Sequence, residues 1–264
     1  MCIRGSPTIE SNSFVQFTTP NRLDITLSVS CDALSTYEMN PSYQGFFAIN
    51  CPMITTWDGT MWSPEVPGQI DMDIIAGDYN TATDGNLDVK TLEVQGDSAL
   101  ATLTVADNTY VQTQGDIIVN TDGAINVANA GSVVQVQDDA VTINNGSIAV
   151  AKTTPLLNPR DFILLSSPMT TETNGGVFGS ADRVFGIIPG NFIPNADVTA
   201  DFPIAANFID DNGDYLDNTV TNLTPTSGYL VFPQAVTDVG AVTFDHTYIP
   251  VSYTHLTLPT ICSV

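Results

Sequence analysis

The chain has 264 residues, enough to bury a sizeable core, and carries 29 acidic against 6 basic residues for a formal net charge of -23. That field repels nucleic acid and anionic lipid, which excludes both as partners. Charged residues make up only 13% of the chain, about half the ordinary share, so the polar surface must be built from Asn, Thr, Ser, Gln and Asp, as suits an extracellular β-protein.

No run is apolar for long enough to span a membrane, so no membrane insertion is expected. Met1-Cys2-Ile3-Arg4 is not followed by the apolar stretch of a signal peptide. Helical periodicity with caps is nearly absent, and short β-type runs separated by Gly, Asn and Asp dominate instead.

Residues 1–54 hold strand candidates at Phe14 to Phe17, Leu23 to Val29 and Phe46 to Ile49. Leu23 to Val29 alternates apolar and polar residues, the pattern of a half-buried antiparallel strand. This piece reads as the remnant of a preceding sandwich domain. Within it, Cys31 and Cys51 flank a segment with strand-like pieces and would form either one disulfide in an oxidising compartment or two buried thiols.

Residues 52–76 read as a loop-rich lead-in with Pro52, Trp57, Trp62, Pro64 and Pro67. From Asp71 onward, triplets recur: Leu87-Asp88-Val89, Leu92-Glu93-Val94, Leu103-Thr104-Val105, Ile117-Ile118-Val119, Ile125-Asn126-Val127, Val141-Thr142-Ile143 and Ile148-Ala149-Val150. Leu103 recurs as Ile125 after 22 residues and as Ile148 after 23 more. In the same register Val111 matches Val133, Val119 matches Val141, Asp122 stacks on Asn145 and Asp116 on Asp138. Three short strands per repeat of this length describe a β-solenoid, in which coils too thin to bury an apolar face alone bury it between them. Asn, Gly and Asp at the corners are expected to supply positive φ and sharp bends.

The period ends at Lys152-Thr153-Thr154-Pro155. Longer strand candidates follow at Phe162 to Leu165, Val184 to Ile188 and Gly228 to Phe232. The fold class is therefore all-β: a short parallel β-helix or solenoid over residues 55–154, then an antiparallel, sandwich-like β-domain over residues 155–250. Val251 to Thr260 resembles a translated sequencing adapter, so residues 251–264 are expected to be non-native. On that reading both natural termini lie outside the chain.

Several segments together carry a resemblance: Thr55 to Pro67 with its Trp-Asp-Gly-Thr-Met-Trp centre, Val133 to Ala140, Asn158-Pro159-Arg160-Asp161-Phe162 with Ser166-Ser167-Pro168, and Pro225 to Pro233. In this order they resemble large secreted proteins of Bacteroidota, notably of marine flavobacteria, that are similar to type IX secretion substrates. The resemblance implies export and a place at the outer cell surface or in the medium, and it brings no catalytic residues.

The motifs of serine hydrolases, zincins, P-loop proteins and dinucleotide binders are absent. With His255 in the adapter-like tail, His246 is the one proton carrier near neutral pH. The sharpest enzyme reading is a β-helix glycoside hydrolase, from Asn120-Thr121-Asp122-Gly123 and Gln137-Asp138-Asp139, since glycosidic cleavage needs paired carboxylates. Against it, Asp122 and Asp138 should occupy different corners. Asp210, Asn212 and Asp214 alternate as in a calcium loop, yet Tyr215 stands where that loop needs Gly; the alternative is an Asx-rich turn. Trp57 and Trp62 either stack on sugar rings or cap the open end of the solenoid core.

The function expected is a non-catalytic, structural or adhesin-like protein whose solenoid stalk presents a β-domain to polysaccharide or cell-surface components. A carbohydrate-binding module beside an enzyme is the second reading and the glycoside hydrolase the third. No cofactor is expected apart from calcium at Asp210, Asn212 and Asp214.

Overall fold

The computed structural model describes residues 51–96, 99–195 and 209–249, together with residues 2–3, 26–29, 33–39 and 48–50. The expected strand at Phe14 to Phe17, Cys31 and the adapter-like tail lie outside the described residues.

The chain winds as a parallel coil stack with three faces. The first face carries Ile54–Trp57 (β4), Met72–Ile75 (β6), Thr91–Val94 (β9), Ile117–Val119 (β12) and Thr142–Asn144 (β15), with the short Trp62–Ser63 (β5) added antiparallel beside β4. The second carries Tyr79–Asn80 (β7), Ala101–Val105 (β10), Gly123–Val127 (β13) and Ser147–Thr153 (β16). The third carries Leu87–Val89 (β8), Tyr110–Thr113 (β11) and Ser132–Gln135 (β14). Six strands on the first face, at about 4.8 Å per step, make a stack about 24 Å long.

The rows predicted from the period are the rows of the core. Leu103 pairs with Tyr79 on one side and Ile125 on the other, and Ile125 pairs with Ile148. Val111 pairs with Leu87 and Val133. All of these point inward and are buried, each contributing about 1.5–3 kcal/mol through its buried apolar surface. Gly146 sits in register with Gly123 because the coils touch there: a Cβ on Gly146 would lie 2.2 Å from the Gly123 carbonyl oxygen.

Two expectations shift. On the first face Ile117 pairs with Thr142 and Val119 with Asn144, so Val119 does not meet Val141 and Asp116 does not stack on Asp138. The loop between β14 and β15 is longer than that between β11 and β12, which lengthens the step on this face to 25 residues. It also turns Thr142 inward and leaves Val141 and Ile143 exposed. The first coil lies within residues that read as a loop-rich lead-in: β4 pairs parallel with β6 at a short step of 18 residues.

The corners use side chains more than positive φ. From Gly85 to Thr153, positive φ occurs among the described residues only at Gly85 and Asn108. Instead a corner side-chain oxygen accepts a backbone N–H one coil on: Asp78 from Thr102, Asn86 from Tyr110, Asp107 from Ala130, Asp116 from Val141 and Asn129 from Thr153. These are groups the coil ladder would otherwise leave unpaired.

Near the N-terminus, Thr26–Val29 (β2) pairs parallel with both Cys2–Ile3 (β1) and Ala48–Asn50 (β3). The alternating run around β2 is thus a parallel strand and not the antiparallel one its pattern suggested, because burial on one face gives the same alternation in either orientation. A short helix, Leu34–Met39, buries Tyr37 there.

Beyond β16, Ile163–Leu165 (β17), Arg183–Ile187 (β18), Leu216–Asp217 (β19) and Tyr229–Phe232 (β20) form an antiparallel sheet in the order β17-β20-β18-β19. Asp245–Tyr248 (β21) returns to the solenoid and pairs antiparallel with β16, closing that edge. A single buried cluster runs from Trp57 through the coil rows to Val231 and Tyr248.

Candidate functional site

The residues of chemical interest fall in three places: the aromatic start of the stack, an acidic turn in the terminal sheet, and buried ionisable side chains at both ends of the core.

At the start, the β4–β5 hairpin brings Trp57 and Trp62 within 5.6 Å, and both rings pack on Tyr79, at 5.0 and 5.7 Å. Trp57 is 8% exposed and its indole N–H donates to the Asp78 carbonyl at 2.8 Å. Its surface is spent on packing, which leaves the half-buried Trp62 the more accessible of the two rings. The Tyr79 hydroxyl donates toward the carbonyls of Asp84 and Gly85 at 3.0 Å, and burial pushes it up to about 12. Asp58 closes the hairpin: its Oδ1 accepts the Thr60 hydroxyl and the N–H groups of Thr60 and Met61, which hold its carboxyl below the usual range.

On the outer surface beside this end, an open groove of about 390 Å³ is lined by Thr56, Asp58, Ile74, Ala76, Gln95 and Gly96. It runs across three coils. Next to it the Asn120 amide donates to Glu93 at 2.6 Å and Gln95 at 3.2 Å.

In the terminal sheet, Asp210, Asp211 and Asp214 each place an oxygen within 4.8 Å of the others. Asn212 lies between them in sequence, and its Oδ1 accepts the Asp214 N–H. Asp210 is already engaged, Oδ1 by the Ile193 N–H and Oδ2 by the Gly213 N–H, both at 2.7 Å. Desolvation works to raise its pKa, and these amides outweigh it and hold the carboxyl low. The arrangement is that of a hydrogen-bonded Asx turn.

The residues suggested for glycosidic cleavage lie apart in the coil, Asp122 between β12 and β13 and Asp138 between β14 and β15. Both are exposed.

Sequence reading missed the buried ionisable groups. Asp73 points inward from β6, 1% exposed, between Thr55 and Leu92 in its row. Its Oδ1 accepts the Thr55 hydroxyl at 2.7 Å while Oδ2 has no partner, and burial pushes its pKa to about 7. Glu172 is 5% exposed with Oε1 unpartnered, and burial pushes it likewise to about 7. His246 is 6% exposed in a cage of Phe178, Phe244 and Tyr248, stacked on Phe244 at 5.3 Å. Burial lowers its pKa to about 4. The only sequence signal was strand alternation, which places Asp73 and His246 on inward positions.

A family model described as a domain of unknown function, DUF8693, matches residues 52–252. The chain belongs to the DUF8693 family. No curated protein and no solved structure matches it. The DUF8693 match opens two residues before β4 and takes in the coil stack, the terminal sheet and β21 together.

Proposed function

We propose that this DUF8693 chain is a non-catalytic structural or adhesin-like protein of the cell exterior, in which the solenoid is a short rigid spacer that presents the terminal sheet. The observation that carries this reading is the unbroken buried core from Trp57 to Tyr248, plugged by aromatic rings at each end. Such a body transmits load and fixes spacing, since stacked coils share one ladder and one core. The resemblance to secreted Bacteroidota proteins supports an exterior location, and the low share of charged residues agrees with it.

A non-catalytic role is supported by His246, which is enclosed by rings where no substrate reaches it, and by the separation of Asp122 from Asp138. The test is twofold. Beads coated with the chain should adhere to polysaccharide-coated or cell-derived surfaces, and the same chain should release no reducing sugar from a panel of polysaccharides. Failure to adhere to any surface would remove the adhesive reading, and hydrolysis abolished by Asp138→Asn would replace it with the enzyme. Binding on a glycan array that is lost in Trp62→Ala would favour the carbohydrate-binding reading, for which the half-buried Trp62 indole is the specific support.

A further inference from the structure

β21 is the strand that seals the last coil. It pairs with β16 through Val150–Tyr248, Ala151–Thr247, Lys152–His246 and Thr153–Asp245. Two buried groups of opposite charge type border it, and each keeps a buried polar atom with no hydrogen-bond partner. His246 lies on β21 with neither ring nitrogen in a well-formed hydrogen bond. Glu172 binds the Ile249 backbone N–H just past β21, faces Tyr248, and keeps Oε1 unpaired.

The other charged groups around them are few. Lys152 faces His246 from β16 and opposes its protonation, while Asp245 on β21 favours it. Asp107 lies beyond, acting on Lys152. The segment that carries Phe178 contributes only rings. Burial outweighs what favours a charge on either group: the Phe244 backbone and Asp245 for His246, and the Ile249 amide for Glu172.

We propose that β21 is a proton-balanced latch, in which buried Glu172 and buried His246 must both be neutral for the strand to stay seated on β16. Releasing β21 brings both groups into water. Rising pH then favours release by ionising Glu172, and falling pH favours it by protonating His246. Folded Glu172 titrates near 7 and His246 near 4, against about 4.5 and 6.5 in water. Between about 4.5 and 6.5 the two effects oppose each other and the latch is insensitive to pH. When the balance fails, β16 becomes an unpaired seven-residue edge able to accept another strand.

The test is amide hydrogen exchange of β16 and β21 from pH 4 to 7.5, corrected for intrinsic rates, with the β10 and β13 amides reporting global opening. Wild type should be nearly flat between pH 4.5 and 6.5. His246→Phe should lose protection as pH rises, roughly tenfold per unit up to about 7. Glu172→Gln should lose protection as pH falls, with the same slope down to about 4. The double variant should be flat and more protected than wild type. Single variants that follow the wild-type profile, or β10 amides that open in step with β21, would overturn the latch. Neither result bears on adhesion.

Discussion

Asp116 Oδ1 accepts the backbone N–H of Val141, one coil further on, at 2.9 Å. That bond takes the place of the stacked Asp116–Asp138 pair suggested by a uniform period. It is one of five equivalent links by which corner Asp and Asn residues stitch successive coils. The abundance of Asn and Asp in the sequence is therefore chiefly a hydrogen-bonding requirement and only secondarily a requirement for bends.

The first prediction tests that stitching. Asp107→Ala removes the acceptor for the Ala130 N–H and should cost about 1 kcal/mol in denaturant unfolding. Asp107→Asn keeps an acceptor oxygen and should lose much less. Equal losses in the two variants would mean that charge, not the hydrogen bond, matters at this corner.

A second prediction concerns coil contact. At Gly146 a Cβ would meet the Gly123 and Asn120 carbonyl oxygens at 2.2 and 2.3 Å, whereas at Gly190 it would meet nothing within 4 Å. Gly146→Ala should destabilise by about 2 kcal/mol or more, as overpacking does, and Gly190→Ala should be close to neutral. Thermal unfolding of the two variants side by side decides it.

The coil rows were legible because aliphatic triplets repeat with nearly constant spacing, and Leu103, Ile125 and Ile148 fall into register as that spacing requires. The register of β15 was not, since Val141 and Ile143 look like the inward pair of a triplet. Only the length of the preceding loop, which has no apolar signature, turns Thr142 inward in their place. The pairing of the first coil was less plain for a related reason: Pro64 and Pro67 mark a loop, and the β4–β6 pairing around that loop has an unusually short step. Of the candidate site, Trp57 and Trp62 were visible as an aromatic pair. Alternation with Ile75 puts Asp73 on the inward face of β6, but a carboxylate in that position reads as an exposed one until the covering coil is known.

Third, Trp57 should matter to the fold more than Trp62. Trp57→Ala empties the centre of the aromatic plug and strands the Asp78 carbonyl, with an expected loss of about 3–5 kcal/mol. Trp62→Ala removes a half-buried ring at the edge and should lose less. Unfolding curves for both variants check the order, and the milder one is the variant fit for glycan-binding assays.

The turn at Asp210 gives a fourth expectation. Both of its carboxylate oxygens already accept backbone N–H groups, and Asn212 is turned onto Asp214, so a cation would have to displace bonds the turn depends on. Millimolar calcium should leave the melting temperature unchanged relative to chelator. A rise that disappears in Asp214→Asn would instead establish a calcium site on Asp210, Asp211 and Asp214.

The last prediction follows from Asp73. Its carboxyl is sealed inside the coil between Thr55 and Leu92, and Asp71 nearby adds a like charge, so burial first and repulsion second keep it protonated to about pH 7. The folded pKa is raised above the unfolded value of 3.8. The favourable contribution is therefore complete below that unfolded value and is lost as pH rises through about 7. Protonation of surface carboxylates toward pH 5 works in the same direction, because it relieves the self-repulsion of a chain at -23. Wild type should thus melt higher at pH 5 than at pH 8. Asp73→Asn keeps the shape and can accept the Thr55 hydroxyl without ever ionising. Its melting temperature should exceed that of wild type at pH 8 and approach it at pH 5. A variant that is weaker than wild type at pH 8 would show that the Asp73 carboxylate is matched by a partner inside the coil, and the buried acid would then be a charge the solenoid is built to hold.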